Sequence, residues 1–177
     1  MLLLTEKLEQ PISAEDENRI SGEVIMTIEQ RIKSRLKLTL SDGREVGLIL
    51  NRGLTLRGGD LLSDAKRQQL IKVIAADEAV STITADNPLL LARLCYHLGN
   101  RHVPLQIGDG FARYQRDHVL DQMVIGLGGK VHPEMAPFEP EAGAYGGHSH
   151  SHSHHGSALP HIDLSHNTFA QSAAKTK

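Results

Sequence analysis

Five histidines, His148, His150, His152, His154 and His155, fall within eight residues of the stretch GGHSHSHSHHG. A neutral imidazole is a good ligand for Ni²⁺, Cu²⁺ and Zn²⁺, and closely spaced rings on one chain can close on a single ion. An engineered affinity tag is usually an unbroken terminal run, whereas this tract is interleaved with serine and followed by 22 more residues. The chemistry to which it points is transition-metal binding. Spacing alone does not choose the metal, because the ordinary affinity order places Cu²⁺ above Ni²⁺ and Zn²⁺.

Other reactive side chains are scattered. His102 lies in YHLGNRHVPLQI and His118 follows Asp117. Taken alone, each is more often a surface ring than a ligand. His97 stands five positions before His102, so the two do not share a helical face. Cys95 falls on the apolar side of a candidate helix and reads as a small core residue rather than a nucleophile. As the single cysteine, it also excludes an intrachain disulfide and a thiolate cluster within one chain. No G-x-S-x-G, phosphate-binding Walker loop, H-E-x-x-H or C-x-x-C motif occurs, and the sequence predicts no enzyme.

The elements that must carry these residues are legible in the hydrophobic pattern. In RLKLTL, Leu36, Leu38 and Leu40 alternate with polar residues, and Val46, Leu48 and Leu50 alternate on the return. Period two means one buried face, and Asp42-Gly43 has the chemistry of a tight hairpin turn. Residues 23–28 suggest a further strand. A small β-rich domain is therefore expected over 1–74. Beyond it, residues 80–84 read as a strand, and Asn87-Pro88 opens a helix with Leu91, Leu94, Cys95 and Leu98 on one face. Gly99-Asn100 is expected to end that helix. Short strands follow at 103–107 and 111–114. Asp117 then caps a second helix, stopped by Gly128-Gly129, and a last strand is expected at 130–132. This β-α-β-β-α-β order predicts a ferredoxin-like domain over 75–138, and the overall class is α+β. From residue 139 to 177, Pro, Gly, Ser and His dominate without apolar periodicity, so a disordered tail is expected there.

Composition narrows the function classes. The chain has 177 residues, of which 40% are apolar and 23% charged, as in soluble globular proteins. A net charge of −2 gives no reason to expect nucleic acid or an anionic membrane as partner. With three Phe, three Tyr and no Trp, the core must rest on Leu, Ile and Val. The opening MLLLTEKLEQ has too short an apolar run for a signal peptide. A cytoplasmic location is the expectation.

Four stretches together resemble the UreE family of urease accessory proteins: RGLTLRGGDLL (52–62), CYHLGNRHVPLQ (95–106), DHVLDQM (117–123) and PFEPEAGAYGGH (137–148). The resemblance implies a peptide-binding-like β domain, then a ferredoxin-like metal domain through which a homodimer forms. It further implies delivery of Ni²⁺ to apo-urease in concert with a GTPase. The metal histidine of the family's GNRH motif falls on His102, and a peripheral histidine of H-x-H-V-L-D falls on His118. The first histidine of that second motif is replaced by Arg116, whose permanently charged guanidinium cannot ligate.

One His102 per chain is too few ligands for a firm site. An isologous two-fold interface would bring two such rings together, leaving positions for the tail histidines. That open shell would suit a carrier. Two other classes stay open at this stage. One is a nickel or zinc storage or buffering protein. The other is a peptide-binding chaperone whose metal tail is incidental.

Overall fold

A computed structural model of the chain describes residues 1–9 and 11–142. Its first half is built from β1 (Leu2–Leu4), β2 (Glu6–Lys7), α1 (Ala14–Asn18), β3 (Ile20–Met26), α2 (Ile28–Arg31), β4 (Arg35–Thr39), β5 (Glu45–Ile49), β6 (Leu61–Ser63) and β7 (Leu70–Ala75). These strands make a three-stranded sheet of order β1-β5-β4 and a four-stranded sheet of order β2-β6-β7-β3.

The expected hairpin joins β4 to β5, antiparallel, with Leu38 opposite Val46. Gly43 takes a positive φ of 87° at its tip, and Asp42 accepts a hydrogen bond from the Arg44 amide. Alternation delivers Leu38, Val46 and Leu48 to the interior, where they meet Val24, Met26, Leu62, Ile71 and Val73 of the other sheet. The hydrophobic effect of this shared layer, about 1.5–3 kcal/mol for each large side chain buried, holds the two sheets together. The strand expected at 23–28 instead spans Ile20–Met26. Thr27 turns the chain into α2 through a reciprocal capping box with Gln30.

The second half runs β8 (Asp77–Thr84), α3 (Pro88–Gly99), β9 (Gln106–Gly108), β10 (Phe111–Gln115), α4 (His118–Gly126) and β11 (Lys130–Pro137). The sheet order is β11-β8-β10-β9, with each neighbouring pair antiparallel. This is the β-α-β-β-α-β arrangement expected of a ferredoxin-like domain. Leu94 and Leu98 of α3 and Val124 of α4 pack against Ile83, Ala112 and Tyr114 of the sheet. Asn87 caps α3 by accepting from the Leu90 amide, and Asp117 caps α4 by accepting from Val119 and Leu120.

The edges of this domain differ from the sequence expectation in instructive ways. β11 continues to Pro137 rather than stopping at residue 132, in spite of Pro133 and Pro137. It is an edge strand, where a residue without an N–H can face outward from the ladder. β9 is shorter than 103–107, because residues 103–105 are used to leave α3. The tail expectation also begins too early. Phe138 and Pro140 are buried, and the Glu139 carboxylate accepts from the Gly58 amide at 2.8 Å. A long-range partner orders these residues despite their loop-like composition. The remaining tail, 143–177, lies outside the described residues. No helix among the described residues is long and apolar enough to cross a membrane.

Candidate metal centre

His102 is placed by the way α3 ends. The His102 amide donates to Gly99 O at 2.9 Å, and the Val103 amide reaches back to Leu98 O at 3.3 Å. His102 itself has a φ of 56°, in the left-handed region. These are the two hydrogen bonds of a Schellman stop, with Val103 packed in the same apolar cluster as Leu98. The second helix of the domain ends identically. There Gly128 donates to Ile125 O and Gly129 to Val124 O, and the left-handed residue is Gly128, with a φ of 93°. One stop uses glycine; the other uses histidine. The helix ends at Gly99 with Asn100 as its cap, as the sequence suggested, and the left-handed reversal that completes the stop falls two residues later, at His102.

A side chain at a left-handed position carries a strain of about 1–2 kcal/mol that glycine avoids. The left-handed histidine is exposed at the point where the backbone reverses. His102→Gly should raise stability to urea by up to about 1 kcal/mol while removing the ring; His102→Val should lower it by about as much. A glycine variant less stable than the parent would show that the left-handed cap is unstrained.

His118 is the first residue of α4 and is also exposed, with Arg116 exposed two residues earlier. Among the described residues, no group of three or more His, Cys, Asp or Glu side chains could hold a metal ion. Neither His102 nor His118 therefore belongs to a complete ligand set among the described residues. His148, His150, His152, His154 and His155 lie outside the described residues. Cys95 is half-buried on α3, and burial pushes its thiol above the ordinary range, which disfavours the thiolate a metal would need. His97 stacks edge-on against Tyr96, with ring centroids 5.5 Å apart.

Two features near the site escaped the sequence reading. The first is Tyr114, fully buried, whose hydroxyl donates to Asp121 Oδ1 at 2.7 Å. Burial, and then the hydrogen bond to Asp121, push its phenol far above the usual tyrosine range. It titrates in no physiological window and ties α4 to β10 one turn beyond His118. The alternation of FARYQ carried the signal that Tyr114 points inward. The second is the packing of apolar residues on the outside of the helices: Leu89 and Tyr96 of α3 are 63% and 66% exposed, and Val119 and Ile125 of α4 are 53% and 52% exposed.

The comparisons with known proteins agree along almost the full length. A family model described as "UreE urease accessory protein, N-terminal domain" matches residues 4–76, and one described as "UreE urease accessory protein, C-terminal domain" matches residues 78–166. A "Urease accessory protein UreE" of Pseudomonas putida (strain W619) is 56% identical over 151 residues, covering 85% of this chain and 90% of the relative. The protein of that name from Escherichia coli O157:H7 is 51% identical over 154 residues, 87% of this chain and 96% of the relative. That from Citrobacter koseri is 50% identical over 158 residues, 89% and 99% of the two chains. The chain belongs to the UreE urease accessory protein family.

Proposed function

We propose that this chain is a nickel metallochaperone: a homodimer that binds Ni²⁺ through histidines and delivers it to apo-urease during urease maturation. The observation that carries the reading is His102, an exposed imidazole held at a strained helix stop where glycine would serve the fold better. Strain of this kind is retained where the side chain has work to do. His102 from each of two protomers would give two rings across an isologous interface, and the exposed apolar residues of α3 and α4 supply surface of the kind such an interface buries. The clustered tail histidines would offer further rings at high local concentration, and His118 a weaker peripheral contact.

Nickel is cargo in this reading, not a resident cofactor. An incomplete protein shell suits cargo, because a competing ligand set can take the ion one bond at a time. Zn²⁺ and Cu²⁺ satisfy the same rings, so selectivity would come from supply and from the recipient. The chain would act in the cytoplasm as a carrier without catalysis, with apo-urease and its accessory GTPase as partners. Equilibrium dialysis of Ni²⁺ against the full chain, with the mass of the complex followed in parallel, tests the core of this. One tight Ni²⁺ per dimer above a set of weaker sites is expected. One tight ion per monomer would contradict a shared His102 site.

A further inference from the structure

A single residue joins the two halves of the chain, since β7 ends at Ala75 and β8 begins at Asp77. Domains of one chain move against each other by default, unless the interface between them is large and apolar. Here the short helix α2, which belongs to the first half, is held by the second half at both ends. At its start the Ile28 amide donates to Glu78 Oε1 at 2.6 Å, and Glu78 Oε2 accepts from Gln115 Nε2 at 3.3 Å. The Ile28 side chain packs with Val80, Ala136 and Phe138 of the second half.

At the end of α2 stands Arg31, the largest fully buried side chain. Its Nη2 donates to Phe138 O, and its Nη1 pairs with Glu139 Oε2 at 2.9 Å and donates to Leu56 O at 3.2 Å. Nε finds no partner among the described residues. Arg57 Nη1 lies 3.2 Å from the same Glu139 oxygen, but Arg57 is 34% exposed and can turn to water. Arg31 cannot. Its guanidinium is always charged, and a buried charge that loses its partner is far more costly than a paired one. A small rotation of one half against the other would break its bonds to Phe138 and Glu139 while leaving it dry. Complete opening would hydrate it, at the expense of exposing the apolar cluster around Ile28 and Phe138. Intermediate positions are the least favourable of all, so the junction has two states rather than a range.

We propose that α2 is a latch that holds the two halves as one rigid body with all-or-none opening, and that Arg31 is the group that forbids small hinge movements. The latched segment also reaches the candidate metal loop. The Glu139 amide donates to Gln106 Oε1 at 3.0 Å, and the Glu141 amide to Leu105 O at 2.7 Å. Leu105 is three residues after His102. A partner seated on the first domain would therefore meet His102 at a fixed distance and angle.

Residual dipolar couplings of the backbone amides, measured on the full chain without metal, read the orientation of each half separately. In the parent, one alignment tensor should fit the amides of both halves together. In Glu139→Ala, which strands the Arg31 charge, the halves should need separate tensors while each half still fits its own. Hydrogen exchange at the Ile28 amide, remote from the substitution, should quicken at least about ten-fold, and by more than at the core amides of β5 and α3. Arg31→Met combined with Glu139→Ala removes the stranded charge and leaves an apolar side chain to pack, so one tensor should fit again. Separate tensors in the parent would overturn the latch, and that measurement decides even if Glu139→Ala does not fold. A single tensor in a folded Glu139→Ala would overturn it too. Separate tensors in the double variant would overturn the part given to Arg31, because lost contacts rather than a stranded charge would then open the junction.

Discussion

Replacing His102 by alanine should weaken the tight Ni²⁺ site by at least about 100-fold, since loss of mere outer-sphere partners already costs 10–100-fold at metal sites. In the proposed dimer symmetry would double the effect: one substitution would remove a ring from each protomer and leave the shared site without a fixed ligand. The dimer should persist, because burial of Leu89, Tyr96 and their neighbours rather than the ion would hold it. Titration calorimetry on a chain whose clustered histidines are alanine isolates the site from the tail. Light scattering on the same sample reports the oligomer. Tight binding retained by His102→Ala would place the site elsewhere, with His118 the next residue to remove.

Ending the chain at Tyr145 should lower the number of Ni²⁺ ions bound per dimer and change how binding responds to acid. The truncation removes seven of the eleven histidines. It spares every hydrogen bond and core contact described above, since the last of these is made by Glu141. Free imidazoles titrate near pH 6.5 and only the neutral ring ligates, so protons compete directly with metal. The full chain should lose Ni²⁺ in two stages as pH falls from about 7.5 to 6. In the proposed reading the tail sites empty first. A site whose rings are fixed by a helix stop should empty later. Dialysis across that range should show the first stage missing from the truncated chain. A single transition common to both chains would refute the division into two classes of site.

How much of this was legible in the sequence depended on how local the cause was. The β4–β5 hairpin is dictated by alternating leucines around Asp42-Gly43, and the two helices of the second domain by Asn87, Asp117 and Gly128 within a few residues of where they act. The β-α-β-β-α-β order followed from those signals. The His102 stop was not legible, because a left-handed histidine breaks the rule that assigns that position to glycine. Gly99 and Asn100, three and two residues earlier, marked the helix end but not the residue at which the chain reverses. Long-range pairing hid the rest. β8 supplies the partner that carries β11 past Pro133, and Arg31, 108 positions away in sequence, orders Glu139 where composition suggests a tail. The metal reading began from a tract that lies outside the described residues, whereas the backbone at His102 gave an independent, structural reason to look there.

The central claim is delivery, and transfer to apo-urease tests it most directly. The dimer is loaded with one equivalent of Ni²⁺, freed of excess metal, and mixed with apo-urease and its accessory GTPase. Nickel and urease activity are then followed in the separated recipient. Transfer of Ni²⁺ with the appearance of activity is predicted, together with a loss of both when the donor is loaded in the same way but carries His102→Ala. Nickel that stays on the donor while apo-urease remains inactive would contradict the account, leaving a protein that stores the metal rather than one that hands it over.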